Sequence, residues 1–293
     1  MDDKRFRAQY EEYRVAVEEY LNALFVAPAP WKTLLDSMRY SVLAGGKRIR
    51  PVLTLECARL CGLSDWRLAL PFACALELVH TYSLIHDDLP CMDDDELRRG
   101  KPTNHVVYGE TMATLAGDAL QPEAYRLIAE AGGLPDRAKL DAVRALAWAS
   151  GANGMVAGQV LDLTGYGRDR ETLTTLCDRK TCFMLRAAAE LGCAAAQAPA
   201  EQADALARYG SLLGLAFQIR DDMLDVVGDE ATFGKPIGSD KEEGKTTFAD
   251  LLGVEGCAAE VRRLTDEAVA ALQNVEGNEF LTALAQRLAE RDK

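Results

Sequence analysis

Two clusters of aspartates are the residues in this chain best suited to chemistry. Asp87-Asp88 is followed by Pro90, Asp93, Asp94, Asp95 and Glu96, and Arg98-Arg99-Gly100 closes the run. The second cluster, Asp221-Asp222 with Asp225, lies inside an apolar segment. Residues 81–89 and 210–227 are mostly apolar on every side, so helices there should be buried. Buried carboxylates are costly unless they are paired or bind a metal. At about 100° per residue, Asp221 and Asp225 fall on one helix face, and Gln218 shares it one turn earlier. Hard oxygen ligands at that spacing suit Mg²⁺, which takes carboxylates together with phosphate oxygens. Asp87 and Asp93 are six positions apart and do not share a face of a regular helix. Pro90 disfavours helical geometry at Leu89, and a local bulge there would return Asp93 to the side of Asp87.

Cations cluster as sharply. Gly45-Gly46-Lys47-Arg48-Ile49-Arg50-Pro51 reads as the opening of a helix whose backbone amides and side chains could hold an anion. Lys47 and Arg50, three apart, share a face, while Arg48 points elsewhere. Lys180-Thr181 falls within a helical segment, and Lys235 and Lys245 lie in or near a glycine-rich stretch after the second acidic cluster. Cations beside metal-binding carboxylates in an acidic chain suggest phosphorylated ligands.

The elements that must position these groups are helices. Phe6, Tyr10, Tyr13, Val17, Leu21 and Leu24 recur every three or four residues, and Leu206, Tyr209, Leu213, Phe217 and Leu224 do the same. No run alternates over the length of a strand. Glycine and proline breaks divide the chain into roughly ten helices. No linker or composition shift marks a boundary, so residues 1–293 read as a single all-α domain. Gln121-Pro122 is expected to kink or break one helix, because proline lacks the backbone donor.

Composition bounds the function. Of 293 residues, 48% are apolar and 27% charged, a globular balance. The net charge of −13 excludes a general nucleic-acid binder. The richest apolar stretch, residues 68–76, is too short to span a membrane. Eight cysteines without a C-x-x-C pair read as buried free thiols; Cys57 and Cys61 are one turn apart but lack further metal ligands. With an N-terminus that lacks the apolar stretch of a signal peptide, this points to a cytoplasmic protein. His86 and His105 read as ordinary packing or surface residues.

The motifs resemble those of the trans-isoprenyl diphosphate synthases, and within them the bacterial farnesyl diphosphate synthases. The likeness rests on residues 45–51, on His80-Thr81-Tyr82-Ser83-Leu84-Ile85-His86-Asp87-Asp88 through Gly100, on Gly158-Gln159, Lys180-Thr181, residues 217–225, and Gly234-Lys235. It implies a bundle of antiparallel helices around a central cavity, usually a homodimer, and several Mg²⁺ ions, with Mn²⁺ able to substitute. By resemblance, Asp87, Asp88 and Asp93 are first-motif metal ligands; Asp221 is the main second-motif ligand, supported by Asp222 and Asp225. Arg98, Lys180 and Lys235 would bind an allylic diphosphate, with Lys245 near it. Gly46, Lys47, Arg50, His80 and Arg99 would bind isopentenyl diphosphate. Thr181 and Gln218 would face the reacting carbon. The implied reaction ionises dimethylallyl or geranyl diphosphate, condenses the cation with isopentenyl diphosphate, and eliminates a proton to the departed diphosphate.

Tyr82 and Ser83 are the expected chain-length residues. Tyr82 lies five positions before Asp87, about 7.5 Å deeper along the helix, where a ring would stop a growing prenyl tail. That favours a farnesyl product. The alternatives are a geranylgeranyl or other chain length, a terpene cyclase of the same fold, and a non-catalytic subunit of a heteromeric synthase. The cyclase is disfavoured by the aspartate-rich second motif and the complete 45–51 segment, and the subunit by intact aspartate motifs.

Overall fold

Asp2 precedes the first periodic stripe and accepts a 2.8 Å hydrogen bond from the Arg5 backbone amide, capping helix α1 (Asp3–Asn22). A computed structural model describes residues 1–227 and 246–291. Its helices continue as α2 (Lys32–Val42), α3 (Ile49–Leu60), α4 (Leu70–Asp87), a five-residue α5 (Asn104–Tyr108), α6 (Glu110–Ala129), α7 (Asp136–Ser150), α8 (Met155–Leu163) and α9 (Arg170–Cys177). After a π turn (Asp178–Cys182) come α10 (Phe183–Ala196), α11 (Ala200–Val227), α12 (Phe248–Ala271) and α13 (Glu279–Glu290). The fold is all-α, as expected. Among the described residues the one departure is a short ribbon, β1 (Leu97–Arg98) paired antiparallel with β2 (Lys101–Pro102).

Helix α4 is the spine. Eleven of its residues are buried, from Phe72 to Ile85, and they cover every side of the helix. Together with the turn before it, residues 66–87 reach the length and apolarity of a membrane-crossing helix, a longer run than the sequence reading allowed. The apolar faces are instead packed against α3, α6 and α10. The Asp87 end of α4, the start of α3, the π turn and the later half of α11 carry the chemical residues.

Arg48 holds the start of α3. It stands in the left-handed region (φ 54°) just before the helix, and its side chain is 1% exposed. Its guanidinium donates to Glu18 at 2.9 Å, Glu77 at 2.6 Å and the Val42 carbonyl at 2.7 Å. Removing one partner of such a buried network strands the others. Arg48→Ala should therefore lower unfolding free energy by about 3–5 kcal/mol. Urea unfolding of the variant checks this; a loss below about 1 kcal/mol, the value of a surface ion pair, would contradict it.

Pro122 does not break its helix. α6 runs through it to Ala129. Pro122 and Asp118 are both exposed. The carbonyl left without a donor four residues earlier can therefore take water, and the ring meets no packed neighbour.

Candidate active site

Helix α4 ends at Asp87, and the chain curls back through Pro90 in a tight turn. The Asp93 amide donates to the Asp87 carbonyl at 2.9 Å, and the Met92 and Asp94 amides both donate to Leu89 O, at 2.8 and 3.2 Å. A turn, not a bulge within the helix, thus returns Asp93 to Asp87. Burial pushes the Asp87 carboxyl up to about 6; Lys180 opposes this, and the nearby Asp93 charge adds to it. Asp88 takes a different direction. It is 3% exposed and accepts from Arg98 Nε at 2.7 Å, so here it anchors an arginine.

The short ribbon aims two arginines apart. Its two-residue loop, Arg99-Gly100, has φ of 55° and 72°, the paired positive angles of a type I′ hairpin. Arg98 turns back to Asp88 and Asp95. Arg99 reaches the Gly45 carbonyl. Gly46 stands at φ 132°, which disfavours any other residue, and a Cβ there would push the Arg99 guanidinium, 2.8 Å away, out of place. His80 sits in the same group: burial, then Arg50 and Arg99, hold its pKa well below the ordinary value, leaving a neutral imidazole at pH 7. The residues expected to bind isopentenyl diphosphate are thus drawn together. One detail differs: α3 begins at Ile49, so Lys47 lies in the preceding loop and shares no helix face with Arg50.

Lys180 and Thr181 project from the π turn, a widened turn that often marks a functional position. Lys180 Nζ lies 2.5 Å from Asp162 Oδ2 on α8, and its charge also acts on Asp87. Gly158 makes this possible: a Cβ there would come within 2.5 Å of Lys180 Cα and 2.7 Å of its Cβ. Gly158→Ala should push the π turn away and cut turnover by about 10²-fold, the cost of an ångström-scale misplacement. Steady-state kinetics beside a circular dichroism spectrum checks this; an unchanged kcat would show that the close approach is dispensable.

Thr181 Oγ1 donates to Gln218 Oε1 at 3.1 Å, Gln218 Nε2 to Asp222 Oδ1 at 2.9 Å, and the Phe248 amide to Asp222 Oδ2 at 2.8 Å. The chain of bonds orients the Gln218 amide, oxygen toward Thr181. Gln218 thus bonds Asp222 one turn on, and on the continuous α11 it still lies on the face of Asp221 and Asp225. Asp221 is paired with Arg291, near the chain's end, and feels Lys47 and Arg50; burial nonetheless raises its pKa. Asp225 is partly buried one turn on. Lys235 and Lys245, with Gly234, lie outside the described residues.

Asp88, Arg98 and Arg99 line a separate, smaller cavity beside Tyr40, while two adjoining cavities share Met92, Leu163, Lys180 and Thr181. The more polar, of about 720 Å³, is bordered by Asp93, Asp162, Gln218 and Asp222. The more apolar, of about 440 Å³, is walled by Met155, Val156, Val160 and Met184, with Arg50, His80, Asp87 and Gln159 among its polar groups. Tyr82 and Ser83 also line it. Arg50 Nε and Gln159 Nε2 are buried with no hydrogen-bond partner among the described residues, as suits a site for an anion.

Among the described residues no three His, Cys, Asp or Glu side chains form a ready cage for a metal ion. The donor set nevertheless fits a divalent cation whose sphere is completed by ligand oxygens. Asp87 and Asp93 are close enough to repel, and partial burial already raises the Asp87 pKa, so a hard cation would relieve both costs. Sequence reasoning quoted Gln159 in a motif without giving it a role, and missed Asp162 and Arg291. Gln159 and Asp162 on α8 had a readable signal, a polar pair three apart on an apolar segment. Arg291 had none, since nothing in its neighbours ties it to Asp221.

Comparison with known proteins agrees with this geometry. The polyprenyl synthetase family matches residues 31–284. The farnesyl diphosphate synthase of Geobacillus stearothermophilus is 43% identical over 97% of this chain and 96% of that protein. Geranylgeranyl pyrophosphate synthase 7 of Arabidopsis thaliana is 41% identical over 94% of this chain and 81% of its own. The crystal structure of a geranylgeranyl pyrophosphate synthetase from Pyrococcus horikoshii superposes with a TM-score of 0.90 at 30% identity, covering 98% of this chain and 99% of that one. A match of this extent, over a helix bundle that carries both aspartate motifs, shows that the chain belongs to the polyprenyl synthetase family.

Proposed function

We propose that the protein is a Mg²⁺-dependent prenyltransferase that condenses isopentenyl diphosphate with dimethylallyl or geranyl diphosphate and releases (E,E)-farnesyl diphosphate. The observation that carries this reading is a pair of adjoining cavities: one bordered by Asp93, Asp162 and Asp222, the other apolar and lined by Tyr82, with Asp87 and, unpartnered among the described residues, Arg50 Nε and Gln159 Nε2 in its wall. An allylic diphosphate has that two-part shape.

Diphosphate leaves only if its growing charge is neutralised, and bound Mg²⁺ supplies most of that neutralisation. Asp87, Asp93 and Asp221 would hold the ions, with Asp222 and Asp225 behind them. Lys180 adds a fixed cation. Thr181 and Gln218 border the cavity, where their oxygen dipoles can stabilise an allylic cation without capturing it. Asp88 fixes Arg98, which by this reading serves the allylic side. Gly46, Lys47, Arg50, His80 and Arg99 orient isopentenyl diphosphate for attack. The apolar walls exclude water, which would quench the cation. The departing diphosphate takes the proton, so no side-chain base is required.

The eight cysteines are all free thiols, which supports a reducing, cytoplasmic setting. A homodimer is part of the same reading; exposed Val106, Val107 and Leu115 on α5 and α6 offer it an apolar face.

Arg50→Ala should raise KM for isopentenyl diphosphate about tenfold or more while affecting KM for geranyl diphosphate much less, because a lost charged contact removes about 1.5–3 kcal/mol. Separate titration of the two substrates checks this; a change confined to the allylic KM would reverse the assignment. The activity as a whole is tested by incubating the protein with isopentenyl diphosphate and each allylic primer and measuring product chain length. Farnesyl diphosphate is expected. A mainly geranylgeranyl product would move the protein to the chain length of its Arabidopsis relative, and cyclic products would overturn the reading.

A further inference from the structure

We propose that Cys61 and Cys193 are a reversible thiol–disulfide pair that staples the outer ends of α3 and α10 when the protein meets a disulfide oxidant. Their sulfurs are 3.8 Å apart, in contact but unbonded. The two helices are held parallel at close range by an independent set of contacts. Thr54 Oγ1 donates to the Ala188 carbonyl at 2.9 Å. One turn further on, a Cβ on Gly192 would lie 2.7 Å from Cys57 Cβ and 2.8 Å from the Ala58 amide. Cys61 faces Cys193 at the end of this register. Little backbone movement is then needed to bring the sulfurs to bonding distance.

The pair is also chemically unequal. Cys61 follows the last residue of α3 and is only partly buried, whereas Cys193 is 4% exposed. The hydrogen bond with Cys193 draws the Cys61 thiol below its ordinary range, and the same bond and burial push Cys193 up. Cys61 is therefore the entry point. With glutathione disulfide as oxidant, the Cys61 thiolate attacks one sulfur, breaks the S–S bond and releases one glutathione thiolate. The Cys193 thiolate then attacks Cys61 Sγ and releases the second. The two protein thiols give up two protons and two electrons, which leave as two glutathione thiols. Cys57, one turn earlier, is fully buried with a thiol raised well above its ordinary value, so it does not compete.

The location determines the consequence. Arg50 and Thr181 stand at the opposite ends of these helices, about 16 and 18 Å from the sulfurs by helical rise. The bond would close a loop between residues 132 positions apart without entering the cavity. It should raise stability and leave prenyl transfer running.

The test uses the full chain carrying Cys91→Ser, since Cys91 is exposed and would react on its own. After exposure to glutathione disulfide and maleimide quenching, the intact protein should lack two hydrogens and two alkylation sites, and dithiothreitol should restore both. Peptide mapping should join the Cys61 and Cys193 peptides. The oxidised protein should melt about 5 °C or more above the reduced one. Cys61→Ser and Cys193→Ser, each alone, should abolish the link and the shift. A stable glutathione adduct on Cys61, a bond through Cys57, unchanged thiols, or loss of turnover on oxidation would each overturn the proposal.

Discussion

Asp87→Ala is expected to lower turnover by about 10³-fold or more while leaving the helix bundle intact. Metal-assisted departure of diphosphate is a matter of several kcal/mol, and each 1.36 kcal/mol is about tenfold in rate. The same substitution should not weaken the fold. Asp87 ends α4, where the helix dipole disfavours a negative charge. Its carboxyl is also held above the ordinary value by burial, so at pH above about 6 the ionised form costs stability that the protonated form does not. Removing it should leave Tm unchanged or higher. Loss of activity with a raised Tm marks a residue kept for function. Near-normal turnover would remove Asp87 from the reaction, and loss of activity together with Tm would make it structural.

Tyr82→Ala is expected to change the main product rather than the rate alone. The ring is 6% exposed, meets His86 edge-to-face at 5.8 Å and has its hydroxyl pushed up to about 12 by burial. His86 Nε2 in turn donates to the Thr114 carbonyl, 3.1 Å away, in space that Gly117 leaves open. Tyr82 therefore forms part of a fixed wall that joins α4 to α6. Truncation to a methyl group should let the tail grow past this level. With geranyl diphosphate as primer, geranylgeranyl and longer products should replace farnesyl as the major species. An active variant with an unchanged distribution would show that another side chain ends the cavity.

The acidic and basic residues that border the cavities were legible because their types are expensive to bury within apolar helical segments. The helical class was equally legible from periodicity. How the side chains are held was not. Arg48 looked like one more cation of its motif, yet it is locked between Glu18 and Glu77, which lie 30 and 29 positions away. Asp88 stands beside Asp87 in the chain but faces Arg98, because the helix ends between them and the next turn rotates away. Counting in α-helical steps placed Gln218 on the face of Asp221 and Asp225; that it bonds Asp222, which the Phe248 amide holds from α12, depends on packing the spacing does not show. The π turn that presents Lys180 and Thr181 has no mark in its own residues; only Gly158, on another helix, hints at the close contact. Pro122 misled because the damage it does depends on exposure, which its neighbours in sequence did not reveal.

The most direct measurement is the stoichiometry of a reaction started with geranyl diphosphate, isopentenyl diphosphate and Mg²⁺. Inorganic diphosphate and farnesyl diphosphate should form in a one-to-one ratio, both should stop in excess chelator, and both should fall together in Asp87→Ala. Release of diphosphate without a new carbon–carbon bond, or prenyl product formed at full rate without a divalent cation, would contradict ionisation and condensation at this site.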